Sequence, residues 1–332
     1  MSGLRRTRTA RSGGPDGPVG DEADDELAVR VGSVELPNPV MTASGTAGVG
    51  DEFESYAPLR SLGAMVVKSL AAFEWAGNPP PRLHPTAAGM INAVGLQGPG
   101  VERWLQDSLP ELLATGARVV ASIWGRSVDD YRRAAEQLAV APDGVVAVEV
   151  NLSCPNLEGR RGIFAHDADL TAAALRAASA CERPMWAKLS PNTDRLVEIA
   201  GAAAEAGAEA VTLVNTLLGM VLDTSTGLPV LGAGDAGGGV SGAGLHPVAV
   251  RAVFDVRSAH PDLPIIGVGG IVGGSDAAEL LLAGASAVQV GTATFADPRA
   301  PWRVLDELRS WVRATGRPIS AVIGAAHRGG LA

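Results

Sequence analysis

The feature that most constrains the fold of this chain is the alternation of short apolar segments with longer segments of helical spacing. Eight apolar runs rich in valine, isoleucine and alanine recur between residues 39 and 292. Near-continuous apolar strands separated by helices are typical of a parallel sheet that is covered on both faces. The runs lie at 39–44, 64–69, 118–123, 145–150, 185–190, 210–215, 264–270 and 287–292.

Eight such units in about 300 residues predict an α/β protein with the (β/α)₈ TIM-barrel fold. The opening segment 27–36, LAVRVGSVEL, alternates like a short N-terminal β-hairpin and is expected to close the bottom of the barrel. The alternative is a doubly wound sheet, which needs a glycine-rich dinucleotide turn after its first strand. A G-x-G-x-x-G spacing occurs at 232–237, but it runs into more glycine instead of a helix, so we interpret it as a mobile loop.

The first 26 residues differ from the rest, with four arginines, then glycine and proline, then an acidic run. We predict a disordered polar tail at 1–26 and one barrel domain at 27–332. A nucleic-acid-binding or partner-binding arm is the alternative for this tail. A secretory signal would require an apolar h-region after the arginines, and none follows them.

Composition excludes several function classes. With 27 basic and 36 acidic residues, the net charge of −9 argues against nucleic-acid binding. Only two cysteines, Cys154 and Cys181, are present, which is too few for a disulfide framework or an iron–sulfur site and suits a reducing cytoplasm. No apolar run approaches the roughly 18 residues that span a membrane. The five histidines show no metal-ligand spacing, so no metal site is expected.

Polar side chains follow the predicted strands where the active sites of such barrels form. Lys68 and Lys188 stand at two of these ends, and lysine is a poor residue for the end of a buried strand unless it meets an anion. A snorkelling lysine or an internal ion pair is the alternative for each. With Asn151, Cys154 and Asn215 at equivalent ends, a shared site is favoured over coincidence.

Glycine-rich segments suggest where a ligand would lie. The seventh and eighth strands end in GVGG (267–270) and GT (291–292), which would let main-chain N–H groups approach a cofactor phosphate. Tight packing at the barrel rim is the alternative. The stretch from GNPPPR (77–82) to GMINAVGLQGPG (89–100) is interpreted as a long loop that offers Asn92 and main-chain N–H groups to a planar polar ligand.

In combination and in order, these motifs resemble the class 1 dihydroorotate dehydrogenases, most closely the NAD-linked class 1B branch, from about Ala28 to Arg313. The motifs are GNPPPR, GMINAVGLQGPG, NLSCPN (151–156), VNTLLGM (214–220), GVSG (239–242), GVGGI (267–271) and ASAVQVGTA (285–293). The resemblance implies an FMN-containing barrel that oxidises (S)-dihydroorotate to orotate in pyrimidine biosynthesis, with hydride passing from C6 to flavin N5.

The resemblance also implies roles for individual residues. Cys154 matches the base that removes the C5 proton. The positions that match orotate contacts are Lys68, Asn92, Ala93, Val94, Gly95, Leu96, Asn151, Asn156, Asn215 and Thr216. Those that match flavin contacts are Ser44, Lys68, Ser69, Asn151, Lys188, Val214, Gly242, Gly269, Gly270, Gly291 and Thr292.

Elementary chemistry agrees with a base at Cys154. The C5 proton is only weakly acidic, so a base must lie beside groups that hold the substrate still. A thiol with a pKa of about 8.5 serves near neutral pH if nearby cations lower that value. Pro155 restricts the backbone of Cys154 and thereby the direction of its sulfur. Cys181 has no such neighbours and is expected to be structural.

Three segments depart from the family pattern or extend it. Ser122 stands where many relatives carry a flavin-contacting asparagine, and 231–242 is unusually rich in glycine and lacks a basic residue common before its last glycines. The segment 156–167, which carries Arg160 and Arg161, is expected to be a mobile loop over the site.

The resemblance leaves partners and acceptor open. A homodimer is expected, and a class 1B enzyme would pass electrons to NAD through a separate iron–sulfur FAD subunit, although the fumarate-using branch remains an alternative. A related flavin enzyme that acts on another dihydropyrimidine and a non-catalytic FMN-binding paralogue are the other readings. The presence of Cys154 and both lysines counts against the second.

Overall fold

The computed structural model describes residues 25–153, 155–156 and 162–331. Most of the predicted tail, Cys154 and residues 157–161 of the loop predicted at 156–167 therefore lie outside the described residues. The side chains of Asp25, Pro155, Asn156 and Gly162 are not described either.

Sixteen strands are present in the described part of the chain. They are β1 (Val29–Val31), β2 (Val34–Leu36), β3 (Val40–Thr42), β4 (Met65–Val66), β5 (Leu83–Thr86), β6 (Gly89–Asn92), β7 (Val119–Ile123), β8 (Val145–Asn151), β9 (Pro155–Asn156), β10 (Gly162–Ile163), β11 (Met185–Lys188), β12 (Ala210–Leu213), β13 (Leu217–Gly219), β14 (Gly238–Ser241), β15 (Ile265–Val268) and β16 (Ala287–Val290).

The α-helices of the described residues mostly separate the parallel strands. They are α1 (Val101–Asp107), α2 (Leu109–Ala114), α3 (Val128–Leu138), α4 (Ala168–Ala178), α5 (Leu196–Glu205), α6 (His246–Ala259), α7 (Gly274–Ala283), α8 (Ala300–Thr315) and α9 (Ile319–Val322). No helix of the described residues has the length and apolarity needed to cross a membrane.

Eight of the strands form one parallel sheet in the order β3, β16, β15, β12, β11, β8, β7, β4. The two end strands meet through a parallel bridge between Met41 and Ala64, and the N–H of Gly63 donates to the carbonyl of Val40 at 2.8 Å. This contact closes the sheet into a barrel. The predicted (β/α)₈ fold is confirmed.

The N-terminal hairpin of β1 and β2 is also present, with antiparallel pairing from Val29–Leu36 to Val31–Val34. Its buried side chains pack with apolar residues from the barrel strands, including Trp186 and Ile266. Burying these side chains in one cluster removes apolar surface from water and closes one end of the barrel.

Local sequence explains where individual helices begin. The hydroxyl of Ser127 accepts from the N–H of Asp130 and caps α3, while the carboxylate of Asp167 accepts from the N–H of Leu170 and caps α4. The buried face of α3 contains Tyr131, whose ring packs edge to face against the ring of Phe164.

A second, antiparallel sheet in the order β13, β14, β6, β5 contributes side chains to the open end of the barrel. It corrects the prediction of a loop from 77 to 100, because residues 83–92 form the β5–β6 hairpin. The segment 232–237, predicted to be a loop, contains a short 3₁₀ helix at Gly234–Ala236, and β14 follows directly.

Candidate active site

A cavity of about 480 Å³, which we call the mouth cavity, lies at the C-terminal ends of the barrel strands. Its volume falls within the range of about 300–1,000 Å³ that is typical of small-molecule sites. Every residue assigned above to orotate or flavin lines it, except Asn156, whose side chain is not described. Those residues are Ser44, Lys68, Ser69, Asn92, Ala93, Val94, Gly95, Leu96, Asn151, Lys188, Val214, Asn215, Thr216, Gly242, Gly269, Gly270, Gly291 and Thr292.

Cys154 lies outside the described residues, so its assignment as the base stays a prediction. The residue before it, Ser153, lines the mouth cavity. The Ser153 hydroxyl is buried and has no hydrogen-bond partner among the described residues, while its N–H donates to Asn151 Oδ1 at 3.2 Å. A buried hydroxyl without a partner at the wall of a cavity is suited to a polar ligand.

Sequence reasoning missed several residues of the wall. Some were signalled by their motifs, since Ser241 belongs to GVSG and Gln97 to the glycine-rich segment. Others, such as Phe295, gave no signal. The additional residues are Ala43, Gly45, Thr46, Leu83, Met90, Gln97, Ser153, Ser241, Leu245, Val268 and Phe295.

One wall is built from main chain at the ends of β15 and β16. Gly270 has φ of +69°, and a Cβ there would lie 2.6 Å from His246 Cβ and 2.9 Å from the carbonyl oxygen of Gly242. Only glycine fits this position without a backbone shift. Thr292 donates from its hydroxyl to Ser241 Oγ at 2.8 Å. The result is a close-packed, side-chain-poor wall of the kind that admits a phosphate group.

Two cations also line the cavity. Lys68 and Lys188 both line the mouth cavity. Lys188, the last residue of β11, is buried, and its Nζ lies 3.7 Å from Oε1 of the fully buried Glu149. For Lys188 the internal ion pair, which sequence reasoning kept as an alternative to an anion site, is therefore present, and the lysine nevertheless reaches the cavity.

A chain of hydroxyl and amide groups crosses the strand ends. Ser69 Oγ lies 3.1 Å from Ser44 Oγ and 2.9 Å from Ser122 Oγ, and it accepts from Asn151 Nδ2 at 3.1 Å. Ser122, singled out in the sequence as a departure at a flavin position, is buried behind Ser69 and does not line the cavity.

Two asparagines position the end of β12. Asn215 Nδ2 donates to Asn151 Oδ1 at 3.4 Å, and the N–H of Thr216 donates to Asn215 Oδ1 at 2.8 Å. Asn192, which sequence reasoning missed, donates from Nδ2 to the carbonyl of Thr216 at 2.9 Å and accepts from the N–H of Leu218. The loop after β12 is therefore held by side chains as well as by main chain.

Trp75 holds the segment that follows β6. Its Nε1–H donates to the carbonyl of Gly95 at 2.9 Å, and its main chain exchanges hydrogen bonds with Gly98. The guanidinium of Arg126 lies 4.6 Å from the centre of the Trp75 ring, a cation–π contact that favours one ring orientation. Asn92 Nδ2 also donates to the carbonyl of Gly239 at 3.2 Å, which joins β6 to β14.

Cys181 is buried on the outer side of the barrel and does not line the mouth cavity. Burial raises the pKa of its thiol, which keeps the thiol protonated and unreactive. No group of histidine, cysteine, aspartate and glutamate in the described residues is arranged to hold a metal ion.

The family model described as "Dihydroorotate dehydrogenase" matches residues 26–312. The chain belongs to the dihydroorotate dehydrogenase family. This confirms the resemblance found in the motifs and makes the chain an oxidoreductase of the type that acts on CH–CH bonds. Membership in the dihydroorotate dehydrogenase family also implies a flavin cofactor.

Three relatives show how far the similarity extends. A protein of Desulforudis audaxviator is 48% identical over 307 residues, which cover 92% of this chain and 99% of the relative. Proteins of Trichlorobacter lovleyi and Geobacter sulfurreducens are 42% and 41% identical, and each alignment covers 90% of this chain and 98% of the relative. All three are named "Dihydroorotate dehydrogenase B (NAD(+)), catalytic subunit".

Proposed function

We propose that this chain is the FMN-dependent catalytic subunit that oxidises (S)-dihydroorotate to orotate in pyrimidine biosynthesis. The observation that carries the proposal is the convergence of two lysines, three asparagines and a glycine-rich wall on one cavity, in a chain of the dihydroorotate dehydrogenase family. FMN, when bound, supplies the acceptor for the hydride.

The residues present fit FMN. Gly269, Gly270, Gly291 and Thr292 would hold its phosphate with main-chain N–H groups, since the packing around Gly270 keeps side chains away from the wall. Lys188 would lie beside the ring system, because it reaches the cavity from the barrel interior. Ser44 and Ser69 offer hydroxyl groups at the same cavity.

The remaining polar groups suit a small, flat anion with amide functions. Lys68 would pair with the substrate carboxylate, and Asn92, Asn151 and Asn215 would donate to and accept from the pyrimidine ring. The bonds of Asn151 to Ser69 and Asn215 fix its amide before substrate binds, which reduces the cost of ordering it.

Cys154 is proposed as the base for the C5 proton. It follows Ser153, a wall residue, directly in the chain. The cation of Lys68 at the same cavity would favour the thiolate over the thiol. Asn156 is proposed as a further substrate contact on the same segment.

The relatives' names support a proposal about a partner subunit. Each is called a catalytic subunit of an NAD⁺-linked enzyme. We therefore propose that this chain works with a separate iron–sulfur FAD subunit and, as the motif resemblance implies, that it forms a homodimer in the cytoplasm. Affinity purification of the tagged chain from its own cells tests this, and recovery without any flavin- and iron-containing partner would contradict it.

The cofactor and substrate are tested on the purified protein. Heat-released cofactor should have the mass of FMN, and anaerobic dihydroorotate should bleach the flavin band with formation of orotate. Dihydrouracil, which lacks the carboxylate, is the matched control and should bleach the band far more slowly. Equal rates with both compounds would favour the alternative dihydropyrimidine substrate, and a protein that takes up no FMN would refute the cofactor assignment.

A further inference from the structure

The barrel interior contains an ion pair directly behind the mouth cavity. Glu149 on β8 is fully buried and does not line the cavity, whereas Lys188 on the neighbouring strand β11 does. The exposed fractions of the two side chains are 0% and 6%, and 3.7 Å separate Glu149 Oε1 from Lys188 Nζ. A carboxylate at this depth is costly to bury unless a cation and hydrogen-bond donors compensate it.

The surroundings hold the carboxylate in one orientation. Glu149 Oε2 accepts from Gln289 Nε2 at 2.7 Å and from the Thr212 hydroxyl at 3.2 Å. Oε1 has no hydrogen-bond partner among the described residues and faces the ammonium group. One oxygen is thus fixed by β12 and β16, and the other is left for Lys188.

Lys188 has this carboxylate as its ion-pair partner in the barrel interior, with 3.7 Å between Nζ and Oε1. An opposite charge at this distance holds a buried ammonium group in one position. Within the described part of the chain, Glu149 is the carboxylate that forms an ion pair with Lys188. Without it, a buried amine would be left with no compensating charge.

We propose that Glu149 is a positioning residue that fixes the Lys188 ammonium at the cavity wall, and that through Lys188 it raises the reduction potential of the bound flavin. The proposal rests on the proposed function for the identity of the cofactor. A two-electron-reduced flavin carries more negative charge than the oxidised form, so a nearby ammonium stabilises it preferentially.

The sign of the effect distinguishes this role from a simple counter-charge. Removing the carboxylate removes a negative charge, which alone would favour reduced flavin. Removing it also releases the Lys188 ammonium from its position at the cavity wall, which disfavours reduced flavin. Because Lys188 lines the cavity and Glu149 lies behind it, the displacement of the ammonium dominates.

The test is a double-mutant cycle on the FMN-loaded protein, with the midpoint potential read by equilibration with a redox dye. Glu149→Gln keeps the shape and should lower the ratio of reduced to oxidised flavin at least tenfold, about 30 mV for a two-electron couple. Lys188→Met should lower it similarly. The double variant should lie at or slightly above the potential of Lys188→Met, because without the lysine Glu149→Gln only removes a negative charge.

Other results would overturn the proposal. A higher or unchanged potential in Glu149→Gln, or shifts that add in the double variant, would mean that Glu149 does not act through Lys188. Trp186→Phe is the control for disturbing the interior without changing charge, since Trp186 lies in register beside Glu149. In this variant the ratio of reduced to oxidised flavin should stay within twofold of the wild-type ratio.

Two further points keep the test decisive. If Glu149→Gln does not fold, Thr212→Val removes one hydrogen bond from the carboxylate and should lower the potential by a smaller amount; no shift there would count against the proposal. Dye equilibration needs no dihydroorotate, so a flavoprotein that ignores dihydroorotate would defeat the proposed function and still report on Glu149. A chain that binds no FMN would defeat both.

Discussion

Gly270→Ala is the substitution whose cost follows most directly from the structure. The residue has φ of +69°, and an added Cβ would lie 2.6 Å from His246 Cβ, 2.7 Å from His246 N and 2.9 Å from Gly242 O. The left-handed backbone costs an alanine about 1–2 kcal/mol. Forcing an extra carbon into packed surroundings adds about 1–3 kcal/mol. The expected loss is about 2–5 kcal/mol of unfolding free energy.

Gly316→Ala is the matched control. Gly316 ends α8 with φ of +65°, and nothing lies within 4 Å of its added Cβ. It should therefore lose only the backbone part, about 1–2 kcal/mol. The difference between the two variants isolates the steric part at Gly270.

Gly270→Ala should also weaken FMN binding. A backbone shift that costs one hydrogen bond to a charged phosphate removes about 1.5–3 kcal/mol, or a rise in Kd of about tenfold to 150-fold. Titration of apoprotein with FMN, followed by flavin fluorescence, measures the Kd, and urea unfolding of the apoprotein measures stability. A Gly270→Ala protein with the stability and FMN affinity of Gly316→Ala would refute the reasoning.

Three further outcomes are expected. Trp75→Phe removes the bond to the Gly95 carbonyl, worth about 1 kcal/mol, so steady-state kinetics should show KM for dihydroorotate raised about fivefold at unchanged FMN content; an unchanged KM would contradict this. Burial raises the pKa of Cys181, so a thiol reagent should find no fast-reacting thiol in Cys154→Ala until urea is added. Burial lowers the pKa of His166, so below about pH 6.5 the unfolded state binds more protons than the folded state. The free energy of unfolding therefore falls as the pH drops below that value. Urea unfolding should show a smaller fall in this free energy for His166→Gln than for wild type.

The barrel was predictable because its signal is local and repeated. Each buried parallel strand is apolar almost throughout, and each intervening helix has its own period. The cavity residues were predictable for a related reason. The carboxyl ends of parallel barrel strands meet at one mouth. We therefore expected one site to contain Lys68, Asn151 and Lys188, although Lys68 and Lys188 are more than a hundred residues apart in the chain.

The antiparallel sheet at the mouth was not predictable from local pattern. The strand β14 is Gly238–Ser241, too rich in glycine to show an alternation of apolar and polar residues. Its partner is β6, and the bond from Asn92 to Gly239 spans 147 positions. Pairing at that separation depends on the completed barrel, which no local sequence pattern records.

Glu149 is marked in the sequence by its position alone. It stands in the otherwise apolar run 145–150, where a carboxylate would be expensive to bury alone. Its partners, Thr212 and Gln289, lie on two other strands, so only the folded barrel identifies them. Asn192 was missed because a polar residue after a strand is common and its bonds to Thr216 and Leu218 depend on the loop conformation.

The anaerobic reductive half-reaction of Cys154→Ala with dihydroorotate, followed in a stopped-flow spectrometer, tests the central claim most directly. We expect this variant to retain FMN and to bind orotate, yet its flavin band should bleach at least about a hundredfold more slowly than in wild type, the scale of losing a general base. Bleaching at the wild-type rate would show that the base lies elsewhere and would contradict the assignment of the mouth cavity chemistry to Cys154.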